Sequence, residues 1–384
     1  MSSMSEHDVR LAAATIAVKG GNGHECGTGV SPSIQLSSTF VHSGNPSNPD
    51  DGLYSYGRGG SPGFTELERA IAELEHGVDA VVFNAGISAA IAALAEGADG
   101  TAVVLPYDAY YGIRARATEL LPQRNIDVRF VDQANLADVR EALAGASLFW
   151  TETPTNPLLA IADLEAIGAL CGEMGVPWFC DNTFATPIAQ NPLDYGATGA
   201  LHSVTKYIGG HSDLILGAVA VNDPELAKRL RGRRGDVGTQ PDGFTCWLAR
   251  RGSQTLAVRF QRQCENALEL AARLHAHPAV EHVFYPGLPH HPGHETARTQ
   301  MRGHFGAMLS FIARGGQDAA QRVVEHCEVL VPATSLGGVE SLIERRARWT
   351  AESAHPALLR LSIGIEDVED LWRDLERALA GNAS

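Results

Sequence analysis

The chain of 384 residues is long enough for two or three domains around a large buried core. Hydrophobic residues make up 44% and charged residues 20%, a globular composition in which 40 glycines point to many tight turns. A formal net charge of −15 repels phosphate backbones and anionic lipids, which argues against nucleic-acid and membrane partners.

No apolar run of about 20 residues reads as a spanning helix. The opening segment MSSMSEHDVR lacks the apolar core of a secretion signal. Six cysteines are scattered without CxxC spacing, so a reducing, cytoplasmic setting is expected, with thiols packed as small apolar groups.

Residues 1–60 are rich in Gly, Ser, Pro and Asn and show little periodicity, so they read as an extended arm lying on another surface, a neighbouring subunit. Ser61-Pro62 is a helix start, Phe64, Leu67, Ile71 and Leu74 recur at helical spacing, and Gly77 ends the run. Strands are then predicted at 80–83, 101–105, 127–131, 147–151 and 176–180, with helices at 88–96 and 163–175. Apolar strands alternating with amphipathic helices predict an open α/β sheet, mostly parallel and covered on both faces. A long helical stretch over 251–275 follows, then strands at 281–286 and 307–313 and helices near 317–326 and 367–380. This mixed rhythm predicts a smaller α+β domain. The expected division is an arm over 1–60, a cofactor-binding domain over 61–255 and a C-terminal domain over 256–384.

Ligands of open α/β sheets sit beyond the carboxyl ends of the strands. After the first predicted strand, Asn84-Ala85-Gly86-Ile87-Ser88 opens a helix whose free N–H groups attract phosphate. Later strands are followed by Asp108-Ala109-Tyr110-Tyr111-Gly112, by Glu152-Thr153-Pro154-Thr155-Asn156-Pro157, by Asp181-Asn182-Thr183, and by His202-Ser203-Val204-Thr205-Lys206. A phosphate nest, an aromatic ring, a carboxylate, hydroxyls and a lysine on one rim match the needs of pyridoxal 5'-phosphate. Its aldehyde needs an amine, its pyridine nitrogen a carboxylate, its ring a platform and its phosphate donors. Lys206, one of few lysines here, sits among Ser, Thr and paired Gly rather than on a solvated face. Arg360 lies in the apolar LLRLSIG segment, where burial without an anion partner is costly. His290, His291 and His294 have metal-like spacing but lie in a Pro/Gly loop without Cys or Asp nearby, so no metal is expected. Cys26 beside His24 lacks the third group of a thiol nucleophile.

The segments ETPTNP, DNTFATP, HSVTKYIGGHSD, SLGGVESLIE and RLSIGIED, within a likeness that runs from about residue 54 to 375, resemble the Cys/Met-metabolism family of pyridoxal-phosphate enzymes. Its members include cystathionine γ-synthase, cystathionine γ-lyase, cystathionine β-lyase and methionine γ-lyase. The resemblance implies the type I, aspartate aminotransferase-like fold and a homotetramer built as a dimer of dimers. It implies that Lys206 holds the cofactor and shuttles protons and that Asp181 pairs with the pyridine nitrogen. Gly86 and Ile87 would give N–H groups to the phosphate, with hydroxyls from Ser203 and Thr205. Tyr56 and Arg58 resemble the family's YxR, which reaches the neighbouring subunit's phosphate. Tyr110 would stack on the ring, with Tyr111 as the alternative. Asn156 would touch the phenolic oxygen and the substrate carboxylate, which Arg360 and Ser335 would bind.

Two departures stand out. Thr334 occupies the place where γ-specific members tend to carry Glu. Arg345-Arg346-Ala347-Arg348-Trp349 replaces HPASMTH, a swap that resembles a subgroup often called cystathionine γ-lyase. These arginines read either as a solvated helix face or as ligands of a distal substrate carboxylate. The resemblance therefore leans to γ-elimination on cystathionine, with γ-replacement on an O-acyl-homoserine, methionine γ-elimination and β-elimination as alternatives.

Overall fold

The computed structural model describes residues 10–21, 26, 29–41, 54–97, 100–348 and 354–380. Seven strands build the larger sheet: β1 (Asp79–Phe83), β2 (Ala102–Pro106), β3 (Asp127–Val131), β4 (Leu148–Glu152), β5 (Trp178–Asp181), β6 (Gly199–His202) and β7 (Gly217–Val221). Their lateral order is β1-β7-β6-β5-β4-β2-β3. All neighbours from β6 to β3 pair in parallel, while β7 runs antiparallel to both β1 and β6. The α/β fold with a mostly parallel sheet is thus as expected, and β7 is an addition to the predicted strands.

Side chains alternate across this sheet because successive residues of a strand point to opposite faces. Val81, Phe83, Val103, Leu105, Trp150 and Phe179 pack on one side with the helices Gly86–Leu94 and Tyr111–Leu120. Ala80, Val82, Val104, Phe149, Trp178 and Cys180 pack on the other with the helices Pro62–Leu74 and Leu164–Met174. Both faces are dry, which explains why β2 and β4 are buried along their whole length and why β2 reads as an unbroken apolar run.

The second sheet orders β10 (Val331–Pro332), β11 (Leu342–Arg345), β12 (Leu358–Ser362), β9 (Met308–Ala313) and β8 (Val280–Phe284). Only β10 and β11 pair in parallel. Leu309, Phe311, Ile343, Leu359 and Leu361 face the helices Leu256–Ala276, Gly316–His326 and Val368–Ala380 across a separate core.

Two features of the expected layout are corrected. The arm is not wholly extended: Ala13–Lys19 form a helix whose Ile16 and Ala17 are buried with Leu74 of the helix Pro62–Leu74. The predicted helix over 251–275 is two helices, Gly243–Ser253 and Leu256–Ala276. The break follows from a close approach: a Cβ on Gly252 would lie 2.2 Å from the carbonyl oxygen of Gly209. Arg259, in the first turn of the second helix, then donates to the carbonyls of Tyr207 at 2.9 Å and Gly252 at 2.8 Å. The chain is bent there to brace the turn that carries Lys206.

Candidate active site

The carboxyl ends of β4, β5 and β6 stop at Glu152, Asp181 and His202. They open on a cavity of about 430 Å³ that the smaller sheet closes from the other side. Gly86, Ile87, Tyr110, Asn156, Asp181, Ser203, Thr205, Lys206, Ser335 and Arg360 all line it. Ten expected site residues, drawn from segments across the chain, therefore meet in one place. Tyr56 and Arg58 do not: Tyr56 is 52% exposed, and the Arg58 guanidinium lies over its ring, 5.5 Å from the centroid.

The lysine is placed by turn geometry. After His202 the chain turns, with Lys206 N–H donating to the Ser203 carbonyl at 3.0 Å. The loop between β10 and β11 of the smaller sheet settles directly on this turn. At Gly337, where φ is +80°, a Cβ would lie 2.8 Å from the Tyr207 nitrogen, so glycine alone satisfies both the backbone and the contact. Two residues earlier Ser335 also adopts a left-handed φ of +85°, and its Oγ accepts from Lys206 Nζ at 2.7 Å. Burial, and then the neighbouring Arg360 charge, lower the Lys206 amine to about 8. An amine that sheds its proton this easily is suited to attack an aldehyde and to carry protons.

Asp181 and Glu152 are register partners on adjacent parallel strands. Asp181 Oδ1 accepts from the Thr183 N–H at 3.0 Å. Burial pushes its carboxyl upward, against the hydrogen bonds from Thr183. Glu152 is 4% exposed, and its Oε2 accepts the backbone N–H of Tyr110 at 2.7 Å. Burial, followed by repulsion from Asp181, pushes the Glu152 carboxyl well up. A buried carboxylate pair of this kind is relieved by a cation placed against one member.

The helix Gly86–Leu94 has no side-chain cap on its first N–H groups, because Ala85 stands at the cap position. The approach of its start to the sheet depends on two glycines. A Cβ on Gly217 would lie 2.4 Å from the Ala85 carbonyl oxygen, and one on Gly86 would lie 3.0 Å from Ser203 Oγ. The result is a cradle of N–H groups and hydroxyls that suits an anion. Thr205 Oγ1 also accepts from the Leu216 N–H at 3.0 Å. Tyr110 and Tyr111 both line the cavity, with ring centroids 4.8 Å apart. Burial, then the Tyr111 hydroxyl, raise the Tyr110 phenol.

On the opposite wall Arg360 is 4% exposed. Its Nη1 donates to Asn156 Oδ1 at 3.0 Å, and its Nη2 to the Ser335 carbonyl at 3.1 Å and to Glu344 Oε2 at 2.9 Å. Thr334 lines the cavity, as does Arg346. Arg346 is only 3% exposed, so for this residue the solvated-face reading is corrected. Arg345 turns away to Gln321 Oε1 at 3.2 Å, and the side chain of Arg348 lies outside the described residues, as does Trp349.

Sequence reasoning assigned no role to Glu152 or Glu344. The signal for Glu152 was its place as the last residue of β4, level with Asp181. For Glu344 it was an acidic residue inside the apolar run SLIE.

The donor set fits pyridoxal 5'-phosphate: an accessible amine, a carboxylate aimed into the cavity, and an uncapped helix start beside two hydroxyls. Comparisons with known proteins agree. The family model for Cys/Met metabolism PLP-dependent enzymes matches residues 14–380. A cystathionine γ-synthase of Mycobacterium leprae is 43% identical over 376 residues, spanning 95% of this chain and 96% of the relative. A cystathionine γ-lyase of Dictyostelium discoideum is 39% identical over 362 residues, spanning 90% and 92%. Among solved structures, metB from Corynebacterium glutamicum superposes with a TM-score of 0.92 at 37% identity, covering 97% of this chain and 98% of its own. The cavity and these likenesses lead to one assignment: the chain belongs to the Cys/Met-metabolism family of pyridoxal-phosphate-dependent enzymes.

Proposed function

We propose that this enzyme carries out γ-elimination on a sulfur amino acid, with cystathionine and water giving cysteine, 2-oxobutanoate and ammonia. The convergence of Lys206, Asp181 and Arg360 on one cavity supports the chemistry common to the family, and the segment Glu344-Arg345-Arg346-Ala347-Arg348-Trp349, which resembles the γ-lyase subgroup, leans the reading to elimination. The bound cofactor supplies an aldehyde that takes up the amino group and a ring that accepts the electrons left at Cα. The residues do the rest. Arg360, Asn156 and Ser335 hold the substrate α-carboxylate. Lys206 Nζ holds the cofactor, and once freed takes the proton from Cα and passes protons at Cβ. Asp181 keeps the pyridine nitrogen protonated. Gly86 and Ile87 N–H groups, with the Ser203 and Thr205 hydroxyls, hold the phosphate. Tyr110 stacks on the ring.

The exposed Tyr56 and Arg58 fit a phosphate contact to a neighbouring subunit, which makes a dimer the smallest active unit and a homotetramer the expected assembly. The division into an arm, a domain over 61–255 and a domain over 256–384, and a cytoplasmic setting, belong to the same proposal.

A second reading, γ-replacement on an O-acyl-homoserine, is favoured by the relatives named cystathionine γ-synthase. Both reactions share their early steps, so products decide between them. Purified enzyme is supplied with cystathionine alone, or with O-acyl-homoserine and cysteine. 2-Oxobutanoate and cysteine from cystathionine support the lyase. Net synthesis of cystathionine without 2-oxobutanoate sinks it in favour of the synthase.

A further inference from the structure

Next to Asp181 lies a buried group of polar side chains that the proposed reaction does not use. Glu75 follows the helix Pro62–Leu74, and His202 ends β6. Glu75, Asn182 and His202 are 0%, 0% and 1% exposed. Glu75 Oε1 meets both His202 Nε2 and Asn182 Nδ2, the latter at 2.6 Å. Asn182 is fixed in this orientation, because Nδ2 also donates to the Gln190 carbonyl at 3.0 Å while Oδ1 accepts from Gln190 Nε2 at 2.9 Å. An oxygen that accepts from an amide N–H is the acceptor toward the imidazole as well, so His202 Nε2 carries a proton. The same group frames Asp181. Asn182 directly follows Asp181, and its N–H donates to the carbonyl of Leu201 at 2.9 Å. Leu201 is the register partner of Asp181 and directly precedes His202.

A carboxylate buried as deeply as Glu75 is costly without a cation beside it, and the ring of His202 is placed to be that cation. The region is crowded with acids: burial, and then Asp181, Glu75 and Glu152, push up the thiol of Cys180. Burial works to keep Asp181 neutral, while the Thr183 hydrogen bonds and then His202 favour its ionised form. Only as a carboxylate does Asp181 favour a protonated pyridine nitrogen. We infer that His202 is a positioning residue for Asp181: its imidazolium, held by Glu75, keeps the Asp181 carboxylate ionised toward the pyridine nitrogen. The inference rests on Asp181 pairing with that nitrogen.

The test uses holoenzyme loaded with cofactor that carries 15N in its ring. The NMR signal of that nitrogen reports how far it is protonated. His202→Gln keeps a donor toward Glu75 but removes the charge. Glu75→Gln keeps an acceptor but removes the anion that holds the charge. Each is expected to shift the signal toward the unprotonated form. Each is also expected to lower kcat about tenfold, with KM within a few-fold of wild type, for cystathionine or O-acyl-homoserine, whichever is turned over. The double variant is expected to match the single ones, since the pair acts as a unit. In the Asp181→Asn background neither substitution is expected to change the signal or kcat further. With 15N-labelled histidine, the holoenzyme is expected to show both ring nitrogens of His202 protonated, a signal that His202→Gln lacks.

A neutral His202 ring would overturn the inference, as would an unshifted pyridine nitrogen in the single variants. A further loss in the Asp181→Asn background would also overturn it and leave Glu75 and His202 as supports of the fold. Should His202→Gln fail to fold, Glu75→Gln carries the same test. Asp181→Asn alone is the control for the underlying reading. If its pyridine nitrogen is protonated as in wild type, the pairing itself fails, and the inference falls with its foundation rather than on its own test.

Discussion

The rim of the large sheet and the edge of the smaller one supply the same cavity in different ways. On the rim each functional group is carried by the end of its own strand: Glu152 closes β4, Asp181 closes β5 and Lys206 lies in the turn after β6. Their placement is local, and a short stretch of sequence carries both the strand and the chemistry. On the edge, Arg360, Glu344 and Arg346 act through register and shared burial. No short stretch there states what its side chains do, because their contacts depend on which strands pair. The rim is thus expected to lose whole steps of the reaction when altered, and the edge to shift affinities.

The largest effect is expected on the rim. Lys206→Ala should lower 2-oxo acid formation by about a thousandfold or more, since in the proposed reaction one amine is both tether and proton carrier. Near-normal turnover in this variant would break the contrast at once. Asp181→Asn should retain cofactor but lower turnover roughly a hundredfold, because a neutral amide cannot favour the protonated pyridine nitrogen. Unchanged turnover would remove Asp181 from that role.

On the edge, Thr334→Glu should change selectivity rather than chemistry. The residue lines the cavity, so a new carboxylate there faces the substrate. The ratio of kcat/KM for cystathionine over methionine should shift about tenfold to a hundredfold. A ratio unchanged within error would show that position 334 does not sense the substrate's far end.

A smaller, graded effect links the two regions through pH. Burial and Arg360 together lower the Lys206 amine to about 8. Only the neutral amine attacks an aldehyde. The sign follows: below about 8 the rate at which cofactor-free protein takes up pyridoxal phosphate should rise about tenfold per pH unit, and above it the rate should level off. Removing the Arg360 charge by Arg360→Gln should move this break to higher pH. A break unmoved by that variant would mean that the edge does not act on the rim.

The same contrast explains what could be read from the amino-acid order. Asp181, Lys206, Ser203 and Thr205 were legible because β5 and β6 are short apolar runs that end in polar residues. The helix Pro62–Leu74 was legible from its cap and its apolar spacing. The helix Ala13–Lys19 was not, because only Ile16 and Ala17 are buried and its seven residues offer no clear period. The bend between Ser253 and Leu256 was hidden because a helical pattern continues through it, and its cause is a contact with Gly209 far off in sequence. For Arg346 the sequence left a solvated face and a ligand role both open for a similar reason: three arginines in four residues can look solvated until Glu344 is placed beside one of them. Glu152 was passed over because its partner is the backbone N–H of Tyr110, which no motif announces.

The central claim is that the cofactor is carried on Lys206 in a cavity shared by the two regions. The chain has three lysines: Lys19, Lys206 and Lys228. Reduction of the holoenzyme with borohydride fixes the cofactor to whichever amine holds it, and peptide mass analysis then reads the position. The account predicts the added mass on the peptide containing Lys206 and on no other. The mass on Lys19 or Lys228, or on no lysine at all while the enzyme remains active before reduction, would contradict it.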